Sequence, residues 1–276
     1  MRQDELGSLN GIDRIGPTRR PAARTVMRQT WRRLLFLHWP VDASALLPLI
    51  PPGLELDHYN GQAYVGLVPF TMTGVRPVGI PPVGRLSNFH ETNVRTYVHC
   101  GGRNPGVWFF SLDAANAIAV QVARRLFYLP YYYSRMRMTC SRGGESVACV
   151  GDGEGNVTVD YEAERLWPEP TPAGCRLRYS AIGSAAPARP GSLEHFLIER
   201  YILYSTAGGR LYSGQVHHDP YPVQRAELVR LEESLIAAAG IAVEGPPPLV
   251  HYAARVDVRI YGLVPVSEWV SEWWRM

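Results

Sequence analysis

At 276 residues, with 46% hydrophobic and 11% aromatic content, the chain is long enough to bury a large core without disulfide or metal staples. The net charge of +3 is mild and lacks the basic stripe of a nucleic-acid binder. All 28 basic residues are arginine; with no lysine there is no side-chain amine, which excludes lysine Schiff-base catalysis.

Residues 1–27 are polar, Arg-rich and aperiodic, and read as a loose extension; residues 28–276 read as one domain. Arg32-Arg33 before L-L-F-L-H-W resembles a twin-arginine signal. His38, Pro40 and Asp42 break the apolar run, however, and no small-residue cleavage site follows. No stretch reaches the ~18–20 apolar residues of a membrane span, so a soluble cytoplasmic chain is expected. A short strand is predicted over 33–39, and Asp42 caps a brief helix over 43–49. Strands follow over 62–68 and 70–75, then a Pro- and Gly-rich loop over 76–84, of the kind that closes over sites. Residues 87–100 form a strand with one polar face, and the nearly continuous apolar run 107–112 is a central strand.

Asp113 fits the N-cap of a helix over 114–127, with Ile118, Val122 and Leu126 as its apolar stripe. Pro130 breaks that helix. Strands are predicted over 131–140, 145–150, 157–165 and 176–180, with turns at Gly143-Gly144 and at residues 151–156. Ser192 caps a helix over 193–204. A strand over 211–218, an amphipathic helix over 224–239 stopped by Gly240, and a long strand over 249–263 complete the chain. Many strands, few helices and no βαβ rhythm imply an antiparallel α+β sheet or barrel. The cysteines show neither C-x-x-C nor zinc spacing. Cys140 and Cys149 can face each other across a hairpin, but without export signals a reduced pair is expected.

The strand over 87–100 holds the main chemical signal. Phe89, Glu91, Asn93, Arg95 and Tyr97 share one face, and His90, Thr92, Val94, Thr96 and Val98 share the other. An acid, an amide, a guanidinium and a phenol in a row either meet bulk water or line a wet cavity. In a cavity, Arg95 can hold a carboxylate or enolate bidentately, and a desolvated Glu91 can move a proton. His217 and His218 are adjacent, so on a strand they face opposite ways and cannot share one ion; either can serve as an acid or base. Nucleophile-elbow, P-loop, dinucleotide-binding and zinc-protease motifs do not occur.

Several long motifs then carry a resemblance. F-L-H-W-P-V-D, P-P-G-L-E-L-D, Y-V-G-L-V-P-F-T-M, E-T-N-V-R-T-Y-V, G-V-W-F-F-S-L-D-A, A-R-R-L-F-Y-L-P-Y-Y, G-S-L-E-H-F-L-I-E-R-Y and L-Y-S-G-Q-V-H-H-D-P-Y-P occur in order over residues 33–263. In these the chain resembles the YqjF-like proteins, a domain of unknown function grouped with the acetoacetate decarboxylase-like fold. The resemblance implies a mainly-β α+β architecture: an antiparallel β-barrel or cone, helices packed outside, and a small-molecule cavity with Glu91, Asn93 and Arg95 turned inward. The decarboxylases carry G-x-P-K-K at the end of a helix, its first lysine forming the Schiff base. The similar position here reads Leu129-Pro130-Tyr131-Tyr132, so tyrosine replaces the amine, and the fold carries over without that mechanism.

Two functions fit. In the first, an enzyme performs a non-covalent lyase, isomerase or hydratase step on a small carboxylated or carbonyl molecule. Glu91, Tyr131, His217 and His218 are its acid–base candidates, and Asn93, Arg95 and Tyr97 bind substrate. In the second, the same cavity only binds or senses a metabolite. Either way the expected partner is a small molecule, with no cofactor, no metal, no nucleic acid and no membrane; a homo-oligomer is left open.

Overall fold

The computed structural model describes residues 8–9, 11–149 and 157–266. A two-stranded ribbon, β1 (Ser8–Leu9) and β2 (Ile12–Asp13), precedes β3 (Thr25–Val41), α1 (Ala43–Leu46), β4 (Glu55–Leu56), β5 (Ala63–Pro77), β6 (Phe89–Cys100) and β7 (Arg103–Ala114). Next come α2 (Ala117–Leu126), β8 (Tyr131–Arg142), β9 (Glu145–Val147), β10 (Thr158–Trp167), β11 (Gly174–Ala186) and α3 (Leu193–Ile198). The chain continues through β12 (Ile202–Ala207), β13 (Arg210–His217), β14 (Val223–Glu233), α4 (Leu235–Ala238), β15 (Leu249–Tyr261) and β16 (Val264–Pro265). No helix among the described residues is long and apolar enough to cross a membrane.

All strands from β3 onward join one ring-like, mainly antiparallel sheet, whose pairing path closes twice, through β7–β8 and through β13–β15. Strands β7, β6, β5, β3 and β15 are common to both closures. One closure is completed by β14, β11, β10 and β8, the other by β13 and β12. The shared strands lie between the two closures, and β6 is buried along almost its whole length. One core contains Leu35, Leu37, Trp39, Val94, Tyr161 and Leu177. The other contains Leu34, Phe36, Val68, Phe70, Tyr97, Phe196 and Val256. Short helices flank the sheet, and α3 and α4 bury side chains in these cores.

Several elements differ from the sequence-based expectation. Residues 224–239 form strand β14 and only a short α4: β14 pairs with β11 over Cys175–Ile182, and this long-range pairing overrides the helix propensity of its Glu, Leu and Arg residues. The helix expected over 193–204 ends at Ile198, and β12 follows. Helix α2 begins at Ala117 with Asn116 as its cap, and Asp113 is a buried residue of β7. Cys140 and Cys149, expected to be reduced, form a disulfide; the β8–β9 hairpin brings them together, with Cys140 opposite Val147. Ile12 and Arg14 are buried, Arg14 pairs with Asp57, and the Gln215 amide donates to the Pro17 carbonyl at 2.9 Å. Residues 1–7 and the turn expected at 151–156 lie outside the described residues.

Strand β3 runs far beyond the expected 33–39 and contains a bulge. Arg33 adopts φ 53°, and the register with β5 slips between Arg32 and Leu37. A bulge reverses the alternation of faces. Trp31 consequently lies on the same side as Leu34 and Phe36.

Candidate functional site

The polar row of β6 is inside the molecule. Glu91, Asn93, Arg95 and Tyr97 are 3%, 5%, 8% and 0% exposed. They share the face that packs against Phe36, Phe70 and Tyr221. Phe70, Val68 and Gly66 of β5 stand opposite Glu91, Asn93 and Arg95.

Glu91 meets Tyr131, whose hydroxyl donates to Oε2 at 2.7 Å. Tyr131 reaches this position because β8 starts where it pairs in parallel with β7, Leu112 opposite Tyr131. Arg124 of α2 donates to the Tyr131 carbonyl at 2.6 Å and so ties helix and strand together. Burial pushes the Glu91 carboxyl up to about 8; the Tyr131 hydroxyl acts in the opposite direction, and the Asp113 charge adds to the rise. At neutral pH Glu91 is mostly the protonated acid. Tyr131 occupies Oε2 as donor, which leaves Oε1 to carry the exchangeable proton.

Arg95 donates through Nη2 to the Leu197 carbonyl at 3.2 Å, while its buried Nε has no hydrogen-bond partner. Its guanidinium lies 5.7 Å from the Phe36 ring centroid, and no described carboxylate forms a salt bridge with it. A buried guanidinium without a counter-charge is costly and favours an anionic ligand. The Asn93 Oδ1 beside it is also buried and unpaired.

His218 closes the cluster. Its ring stacks on Tyr201 at 4.4 Å, contacts Tyr221 at 4.4 Å and lies 5.8 Å from Trp31, which in turn packs edge-on against Phe70. Nδ1 sits 2.7 Å from the Asp219 carbonyl. A carbonyl only accepts, so Nδ1 carries the hydrogen and Nε2 keeps its lone pair. That Nε2 is buried without a partner. Burial drives the His218 pKa down to about 4, so the ring is neutral at pH 7.

The other expected residues are placed differently. Tyr97 donates its hydroxyl to the Leu197 carbonyl at 2.8 Å and lies 2.7 Å from His38 Nε2. It therefore anchors α3 and is already fully hydrogen-bonded. His217 is half-buried opposite Arg259 on β15 and takes no part in the cluster. Sequence reading missed Trp31, Phe36, Phe70 and Tyr221. Phe36 and Phe70 were legible as alternating apolar positions, whereas Trp31 depends on the Arg33 bulge. Among the described residues no three His, Cys, Asp or Glu side chains converge as a metal site requires.

Gly66 makes the basic end possible. A Cβ there would stand 3.1 Å from His38 Cδ2 and 3.4 Å from the Tyr97 hydroxyl, two rings fixed by their mutual hydrogen bond. Gly66→Ala is expected to cost about 1–3 kcal/mol through overpacking, read as a lower midpoint in urea; an unchanged midpoint would show that the rings can yield.

These features define an acetoacetate decarboxylase-like fold with a buried polar cluster in the shared wall. The chain aligns with an acetoacetate decarboxylase-like enzyme from Sphingomonas wittichii RW1 at TM-score 0.58 and 12% identity, over 88% of this chain and 93% of that one. It aligns with the enduracididine biosynthesis enzyme MppR complexed with pyruvate at TM-score 0.57 and 14% identity, over 90% and 93%. By sequence the chain belongs to DUF2071, a family of uncharacterized conserved proteins whose model matches residues 28–257. It is 38% identical over 244 residues to the uncharacterized protein YqjF of Bacillus subtilis (strain 168), covering 88% of this chain and 93% of that protein.

Proposed function

We propose that this protein is an enzyme that carries out non-covalent acid–base chemistry on a small carboxylated or carbonyl metabolite: a lyase, isomerase or hydratase step without an imine. The observation that supports this most is the pairing on one buried face of an uncompensated guanidinium, Arg95, with a carboxyl whose pKa is raised to about 8. Arg95 holds the substrate's anionic end, and the Asn93 carbonyl oxygen accepts from a substrate hydroxyl or enol. Glu91, protonated on Oε1 at rest, gives or takes a proton at the reacting atom. Tyr131 holds Oε2 and stabilises the carboxylate that forms. His218 Nε2 is a neutral acceptor for a second proton. The fold neighbours include enzymes, one of them crystallised with a small 2-oxo acid, which agrees with a substrate of this size.

The test is a panel of small hydroxy-, oxo- and unsaturated carboxylic acids screened by thermal shift, with turnover followed by NMR. For a substrate so found, Glu91→Gln should keep the Kd within a few-fold while kcat falls at least ~100-fold, the scale of a lost acid–base group. Arg95→Met should weaken binding at least ~10-fold, in line with loss of a charged hydrogen bond. Ligand binding without turnover, lost equally in both variants, would make the site a recognition module. Undiminished binding by Arg95→Met would remove Arg95 from the site altogether.

A further inference from the structure

A cavity outside the cluster opens at the surface beside the start of α3. It holds about 290 Å³, near the lower end of the range for small-molecule sites. Arg189, Ser192, Glu194, Val223, Arg225 and His251 help to line it. Arg189 and Arg225 are exposed, whereas Val223 and His251 are buried, so the cavity runs from the surface into the sheet wall. Its two guanidiniums outweigh the one Glu194 carboxylate, and a net positive rim attracts anions.

Strand register connects this cavity to the buried cluster. Arg225 of β14 stands opposite His251 of β15, and His251 stands opposite Phe36 of β3. Directly opposed residues share a face, so these three form one row. The neighbouring row on that face runs through Leu249, His38, Gly66 and Arg95, because each strand alternates with period two. Gly66, the β5 member of the row, puts no side chain between the His38 ring and Arg95. Burial lowers the His38 pKa most, and Arg95 and His251 lower it further, which places His38 within electrostatic reach of both. The Phe36 ring, which meets the Arg95 guanidinium, also packs on Tyr221 at 5.4 Å, two residues before Val223 in the cavity wall. Along these rows His251 Nδ1, His38 Nδ1 and Arg95 Nε are each buried without a partner among the described residues. Tyr97 gives its proton to the Leu197 carbonyl and so accepts from His38 Nε2, which leaves the lone pair on His38 Nδ1. A packed wall rarely leaves three polar atoms orphaned in neighbouring positions. A path taken by a polar molecule supplies their partners.

We infer that the cavity lined by Arg225 and His251 is the entrance to the buried cluster, and that a small carboxylated or carbonyl molecule passes His251 and His38 to reach Arg95. The identity of that molecule rests on the function proposed above; the route rests on the strand register and the orphaned atoms.

Methylglyoxal, a small neutral dicarbonyl that modifies arginine, tests the route on the full chain, with adducts located by peptide mass spectrometry. In the unsubstituted protein Arg95 should react more slowly than the exposed Arg178. It should react at least ~10-fold faster than Arg165, which is also buried, is closed off by Asp113 and is reached only through local opening. Ala188 lines the cavity. Ala188→Trp should slow Arg95 modification ~10-fold or more while Arg178 reactivity and the urea midpoint stay unchanged. Ala186→Trp should do the same from β11, should the first variant fold poorly. Arg95 reacting no faster than Arg165 would overturn the inference, because the cluster would be sealed. So would Arg95 reacting at the parent rate in a folded Ala186→Trp/Ala188→Trp, because entry would lie elsewhere. Modification blocked at the mouth, in a protein that binds none of the screened carboxylic acids, would uphold the entrance and sink the acid–base reading instead.

Discussion

Replacing Asp113 by alanine should destabilise the fold by about 3–5 kcal/mol, the usual cost of stranding one member of a buried ion pair. Asp113 is fully buried, and Arg165 grips it with two hydrogen bonds of 2.8 Å, from Nε and Nη2. Ser134 adds a third bond at 2.7 Å, and the Arg165 guanidinium lies 3.6 Å from the Tyr132 ring centroid. These contacts join β7, β10 and β8 at the seam where the sheet closes through β7–β8. Without the carboxylate, Arg165 keeps its charge in an apolar setting and cannot reach water. Urea unfolding should show the loss, and Asp113→Ala/Arg165→Met should recover much of it, because no buried charge then lacks a partner. A double variant no more stable than the single one would mean that the seam depends on the hydrogen bonds more than on charge balance. The Asp113 charge also helps to raise the Glu91 pKa, so Asp113→Asn should lower it.

The second large effect is a stability difference that grows with pH. Glu91 titrates near 8 in the folded protein, against 4.5 ordinarily. The folded state therefore keeps a proton that the unfolded chain releases from about pH 4.5 upward. This contribution is fully present below 4.5, falls as pH rises through the window, and levels off above 8. Over that range it amounts to roughly 5 kcal/mol. Glu91→Gln keeps the shape of the neutral acid but has no proton to lose. Relative to the parent protein, the variant should gain stability steadily between pH 4.5 and 8. His218 has the opposite sign. Its pKa is lowered to about 4, so its contribution is lost as pH falls below ~6.5. It is common to both proteins and drops out of the difference. Unfolding free energies measured in parallel across this range check the claim; two parallel curves would show that Glu91 is ionised in place and is no acid at neutral pH.

Much of the site was readable in one strand. The alternation in residues 89–97 put Glu91, Asn93, Arg95 and Tyr97 on a common side, and their burial follows from the place of β6 between two cores. Nothing local distinguishes a strand with two buried faces from one with a wet face. The family resemblance tipped that choice, and the double closure of the sheet explains it. The aromatic wall was only half legible. Phe36 and Phe70 follow period two, but Trp31 is brought round by one residue at positive φ, a backbone choice that arginine does not announce. The helix expected over 224–239 failed for a related reason. Its Glu, Leu and Arg residues favour a helix in isolation, and only the distant β11 makes a strand the better bargain.

Residue by residue, then, composition and pattern determined the mainly-β class, the missing amine, the polar row along one face of β6 and the tyrosine at the start of β8. Those properties belong to side-chain chemistry and to alternation within single segments. Tertiary structure decided which rows are sealed from water, and which buried charges find partners and which do not. These depend on contacts between residues far apart in the chain, so the free energy that sets them is not written in any one stretch.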